Sequence, residues 1–138
     1  MPDLNQPDQT VDALLLIAHG SRRQQSNDEV IALADRLRDA CKTEYGIVHA
    51  GFLELATPGI PEAITHCVNE GARTVTILPY FLNSGRHVVT DIPEIVASST
   101  LQHPDVAIIV APHLGASNVM LDLLIDSAKS ATRPSISE

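Results

Sequence analysis

The sequence predicts one α/β domain: a four-stranded parallel, doubly wound sheet flanked by helices. Three observations lead there. Four short aliphatic runs alternate with segments of helical period, the pattern of serial βα units joined by right-handed crossovers. The first run, Ala13-Leu14-Leu15-Leu16-Ile17-Ala18, is apolar at successive positions, as a strand covered on both faces must be. Aromatic residues make up only 3% of the 138, with no Trp, so the core has to be aliphatic. Such a core suits helices packed on a parallel sheet.

The elements follow in order. After the first strand, Ser26 with Glu29 three residues on reads as a capping box. Val30, Leu33, Ala34, Leu37 and Cys41 then form one helical stripe. A second strand is expected over residues 46–53, and a helix with Pro61 in its first turn and Gly71 at its stop. A third strand, 74–78, ends at Pro79. A loop with Asn83, Ser84 and Gly85 leads to a helix starting between His87 and Pro93. A fourth strand spans 106–110, and Val119, Met120, Leu123, Leu124 and Ser127 mark the last helix. Residues 1–10 and 131–138, rich in Pro, Asp, Gln and Ser, read as disordered tails around a single domain over 11–130.

Bulk properties narrow the partners. A formal charge of −8 argues against nucleic acid or an anionic membrane. No run approaches the ~18 apolar residues of a membrane span, and residues 1–10 lack the basic and apolar regions of a signal peptide. Two cysteines, Cys41 and Cys67, stand far from any metal-type spacing. The expectation is a cytoplasmic protein with reduced, structural thiols.

The residues that carry chemistry stand at strand ends. His19 follows the first strand in Ala18-His19-Gly20-Ser21-Arg22, Glu54 follows the second, and His87 lies beyond the third in Gly85-Arg86-His87-Val88. In open α/β sheets ligands bind outside the carboxyl ends of the strands. Periodicity does not give strand order. If it is the flavodoxin-like 2-1-3-4, the loops bearing Glu54, His19 and His87 are neighbours on strands about 4.8 Å apart. Two imidazoles and a carboxylate suit a divalent transition metal.

The segments Ala18-His19-Gly20-Ser21-Arg22, Gly51-Phe52-Leu53-Glu54, Pro79-Tyr80-Phe81-Leu82, Gly85-Arg86-His87-Val88 and Asp91-Ile92-Pro93 occur in this order across residues 13 to about 115. In that arrangement the chain resembles the small CbiX-type sirohydrochlorin chelatases, members of the class II tetrapyrrole chelatases. The resemblance implies a chelatase-like version of the fold. It implies insertion of a divalent metal (cobalt, ferrous iron or nickel) into sirohydrochlorin or a related tetrapyrrole, in cobalamin or sirohaem biosynthesis. His19, Glu54 and His87 are implied as the catalytic, metal-handling residues, the metal being substrate and no organic cofactor being expected. Which histidine is base and which is ligand stays open. A histidine can both ligate a metal and accept a proton near neutrality.

Sirohydrochlorin carries eight carboxylates, whereas this chain is net negative. Arg22, Arg23 and Arg86 flank the two histidines and can grip carboxylates bidentately, while Ser21 and Ser84 add neutral donors. The family's longer members hold substrate between two similar domains. This chain shows no internal duplication, so a symmetric homodimer is expected to supply the second half.

The other histidines carry less. His66, with Glu62 and Glu70 four residues to either side, reads as a surface contact. His49 lies in the second strand, His103 precedes Pro104, and His113 follows the fourth strand on the same edge as the site. Two alternatives stand beside insertion. One is a non-catalytic metal or tetrapyrrole carrier with the same pocket. The other is a histidine phosphatase, which needs an Arg directly before the His; here that position is Ala18.

Overall fold

In the computed structural model the described residues are 11–134. The tail read at 1–10 and positions 135–138 lie outside them, while 131–134 are exposed and carry neither helix nor strand. Four strands form one sheet in the order β2-β1-β3-β4: β1 (Asp12–Ala18), β2 (Ile47–Phe52), β3 (Thr74–Pro79) and β4 (Ala107–Val110). Every pairing is parallel. β1 thus lies between β2 and β3, the order that makes the expected loops neighbours.

Alternation along β1 divides the core in two. Leu14 and Leu16 point to one face, where α1 (Gln24–Ala40) covers them together with Val48 and Ala50. Leu15 and Ile17 point to the other, against Ile60, Ala63, Ile64 and Cys67 of α2 (Ile60–Asn69) and Ile92 of α3 (Ile92–Gln102). Gly51 permits the close approach of α2, since a Cβ there would meet the Ala63 Cβ at 3.0 Å. Among the described residues no helix is long and apolar enough to cross a membrane.

Three helix ends show how sequence signals resolve. α1 begins at Gln24, not after Ser26, whose N–H already donates to the Arg23 carbonyl at 3.0 Å. The start is fixed instead by Asn27, buried in the first turns and bonded to the loop before it. α2 has Pro61 in its first turn, and the Glu62 carboxylate accepts from the Gly59 N–H at 2.9 Å. Before α3 a π-helical turn spans His87–Asp91, with Ile92 N–H donating to His87 O. Widening there accommodates Pro93, which has no N–H to give an α-helical ladder.

The last helix departs from expectation. α4 (Val119–Lys129) follows the short 3-10 turn Leu114–Ala116, but it does not pack down on the sheet. All of its residues except Met120 are exposed. The half of the sheet nearest to it is left bare on the face that carries α1.

Candidate metal centre

β1 delivers His19 to the carboxyl edge, and the backbone turns there through Gly20, at φ +95°. The next residue is clasped to α1: Ser21 N–H donates to Asn27 Oδ1 (2.9 Å) and Asn27 Nδ2 donates to Ser21 O (2.8 Å). β2 runs on beside this turn, with Leu53 N–H donating to Ala18 O and Glu54 N–H to His19 O, both 3.0 Å. These main-chain bonds hold Glu54 next to His19, and His19 Nε2 lies 3.1 Å from Glu54 Oε1. His19 Nδ1 lies 3.0 Å from the Gly20 carbonyl. Each ring nitrogen of His19 thus faces an oxygen, Glu54 Oε1 at Nε2 and the Gly20 carbonyl at Nδ1.

His87 arrives from the third loop at the head of the π turn. Its ring centre lies 4.6 Å from that of His19, the planes inclined by 60°, and Phe81 stacks on its far side at 6.5 Å. His87 Nδ1 donates to Asp91 Oδ2 at 2.7 Å, and Nε2 makes no hydrogen bond among the described residues. Histidines that bind metals almost always donate their second ring N–H to a carboxylate or carbonyl in this way. Among the described residues no three His, Cys, Asp or Glu side chains stand as a ready-made ligand cage.

The sequence therefore located His19, Glu54 and His87 as neighbours and overlooked Asp91 as their support. Its signal was the i,i+4 spacing from His87. A cavity of about 270 Å³ opens beside the group, lined by Leu53, Glu54, His87, Asp91, Glu94 and Ile95. Three carboxylates on its wall favour a cation.

Arg22 and Arg23 lie in the β1–α1 loop and Ser84 and Arg86 in the β3–α3 loop, all exposed. Arg23 donates to Gln25 Oε1 at 3.1 Å, and none of the three arginines forms a salt bridge among the described residues. Ser21 Oγ accepts the Arg23 N–H at 3.0 Å, so this hydroxyl also shapes the loop. His66 does not pair with its helical neighbours: Glu62 serves Gly59, and Glu70 is held by His49 Nε2 at 2.6 Å. His103 Nε2 meets Thr65 Oγ1 at 3.2 Å. His113 lines a separate, mostly apolar cavity of about 410 Å³ between α3 and the end of β4.

The family model of CbiX matches residues 13–131. The chain belongs to the CbiX family. A sirohydrochlorin ferrochelatase of Arabidopsis thaliana, described as chloroplastic, is 36% identical over 115 residues, covering 83% of this chain and 50% of that protein. A sirohydrochlorin cobaltochelatase of Methanocaldococcus jannaschii is 28% identical over 142 residues, covering 86% of this chain and 98% of the relative. The chain thus spans half the length of the plant relative and nearly all of the archaeal one. Among solved structures, SirB from Bacillus subtilis with Fe³⁺ matches at a TM-score of 0.78 and 25% identity, over 90% of this chain and 48% of that one. A cobalt complex of SirB from the subspecies spizizenii matches at 0.71 and 26%, over 87% and 50%.

Proposed function

We propose that this CbiX protein is a chelatase that inserts a divalent metal, cobalt or ferrous iron and in third place nickel, into sirohydrochlorin or a closely related tetrapyrrole. The reaction belongs to cobalamin or sirohaem biosynthesis and is placed in the cytoplasm. The observation that carries the reading is the juxtaposition of the His19 and His87 rings at 4.6 Å, with Glu54 against one and Asp91 against the other. The relatives' names and the metal-bound SirB structures agree with it.

The two histidines divide the work. His87, its Nδ1 proton engaged by Asp91, presents Nε2 as the standing ligand. His19 with Glu54 forms the base pair. As the ion passes to the ring nitrogens, the macrocycle loses two pyrrole protons, and His19 and Glu54 accept them. Charge balances: two protons leave as one divalent ion enters. Imidazole and carboxylate hold Co²⁺ and Fe²⁺ without the tight grip of thiolates, which suits an ion that must be handed on. Arg22, Arg23 and Arg86, with Ser21 and Ser84, take the peripheral carboxylates. A second copy of the chain supplies the opposite wall of the cleft.

The test mixes purified protein with sirohydrochlorin and Co²⁺ or Fe²⁺ and follows the visible spectrum. Insertion above background is expected for the wild type. His87→Ala, a half-exposed position, is expected to lose it with an unchanged circular-dichroism spectrum. Rates at background with every metal refute the reading, and near-normal turnover in His87→Ala refutes the site.

A further inference from the structure

Parallel sheets are stable with both faces covered, and here one quarter of the covering is missing. On the face that carries Leu14 and Leu16, α1 lies over β1 and β2. Register continues this face across the sheet, since Leu14 pairs with Thr76 and Thr76 with Ile109. Over β3 and β4 that face has no helix among the described residues, and Ile109 stands 52% exposed. The crossovers that run toward β4, through α2 and α3, lie on the opposite face, so a helix that turns back from β4 is what reaches the bare one. α4 follows β4, yet Leu121 and Leu124 are 64% and 60% exposed.

α4 is also too apolar for a solvent helix. Leu121, Leu124, Ile125 and Ala128 form one stripe at i, i+3, i+4, i+7, and Val119, Met120 and Leu123 form a second. A helix apolar on two sides is meant to be buried on two sides. Five large aliphatic residues of α4 and Ile109 of β4 are exposed. At roughly 100 Å² each they make about 600 Å², the upper end of the ~300–600 Å² patch of an ordinary monomer. The amount is about three quarters of the ~800 Å² per partner of a stable interface.

We infer that two copies of the chain exchange α4, each helix lying on the bare β3–β4 face of the other's sheet. The open face and the unpartnered helix belong to one chain, so a two-fold axis satisfies both at once. The inference rests on the two-copy reading above and specifies how the copies are joined. It also ties dimer formation to β3, the strand that leads to the His87 loop.

The experiment starts from the 14.8 kDa chain. Sedimentation at micromolar concentration is expected to give twice that mass. Leu124→Asp and Ile109→Asp, both at positions exposed in the single chain, are each expected to halve it with helical content retained. A Cys41→Ser background leaves only the buried Cys67. In it, a chain with Ile109→Cys and a differently tagged chain with Leu124→Cys are co-expressed and treated with a short bis-maleimide. Links between unlike chains are expected to dominate. A monomeric wild type, or links only between like chains, overturns the exchange. Insertion is measured on the same samples: an active monomer defeats this inference alone, and an inactive dimer defeats the proposed reaction alone.

Discussion

Gly20 joins the fold to the site, and replacing it by alanine tests both. At φ +95° a Cβ would stand 1.7 Å from the Glu54 carbonyl oxygen and 2.9 Å from its carbon. An ordinary carbon–oxygen contact is about 3.3 Å, so one of the two segments must shift by about 1.5 Å. Left-handed backbone costs an L-residue about 1–2 kcal/mol. The Glu54 N–H to His19 O bond, at 3.0 Å in the same clasp, contributes about 1 kcal/mol more. Gly20→Ala is therefore expected to lose about 2–3 kcal/mol, a large part of a stability of order 5–15 kcal/mol. Thermal unfolding should fall by roughly 10 °C for a chain of this size. The same shift carries the Glu54 carboxylate away from His19 Nε2, and a misplacement of about 1 Å can cost 10²-fold in rate. Insertion is measured well below the variant's own midpoint, so that only folded protein is compared. Gly85→Ala serves as control, because nothing lies within 4 Å of its Cβ position, and it should stay within about 0.5 kcal/mol of wild type. Wild-type melting and turnover in Gly20→Ala would refute the clasp as the device that sets Glu54.

Two more expectations concern single side chains. Asp91→Asn should weaken Co²⁺ binding by about 10–100-fold, by titration calorimetry, because His87 loses the carboxylate that orients it; unchanged affinity removes Asp91 from the site. Burial, helped by the Glu70 charge, pushes the Cys67 thiol up from 9.0 to about 12. Below pH 9 both folded and unfolded chains keep this proton, and the group contributes no pH dependence. Between 9 and 12 only the unfolded chain releases it, so wild-type stability should decline by about 1.4 kcal/mol per pH unit relative to Cys67→Ala. Parallel denaturation curves for the two proteins across that window contradict the assignment.

What the sequence made legible was whatever depends on local pattern. Ala13 to Ala18 is an unbroken aliphatic run of strand length with Gly20 just beyond it, which reads as a covered strand. His19 and Glu54 were found because each follows such a run. Interactions across space were less visible. The Ser26–Glu29 pattern suggested a helix start that Asn27 overrides, because its amide bonds the main chain of Ser21, six residues back. Glu62 and Glu70 had the right spacing for His66, yet Gly59 and His49 take them. Strand order was open for the same reason, since alternation says which face a residue takes but not which edges pair. α4 read as a helix from the spacing of its apolar residues, and it is one; what covers that face is not a matter of local pattern, and among the described residues all of it but Met120 is exposed.

The distribution of charge resolves the difficulty that the net charge of −8 poses for an octacarboxylate substrate. The carboxylates of Glu54, Asp91 and Glu94 are gathered on one hollow beside the histidines, while Arg22, Arg23 and Arg86 stand in the flanking loops. In the proposed reaction an acidic hollow would concentrate a divalent cation at the ligand end of His87. The same hollow would repel the periphery of the macrocycle, leaving its acid groups to the loops where the arginines are exposed. With screening over about 8 Å at physiological salt, each ligand meets the charge nearest to it, not the average of the chain. On that proposal metal and macrocycle approach from regions of opposite sign and meet at the imidazoles, which can both hold a metal and take up a proton.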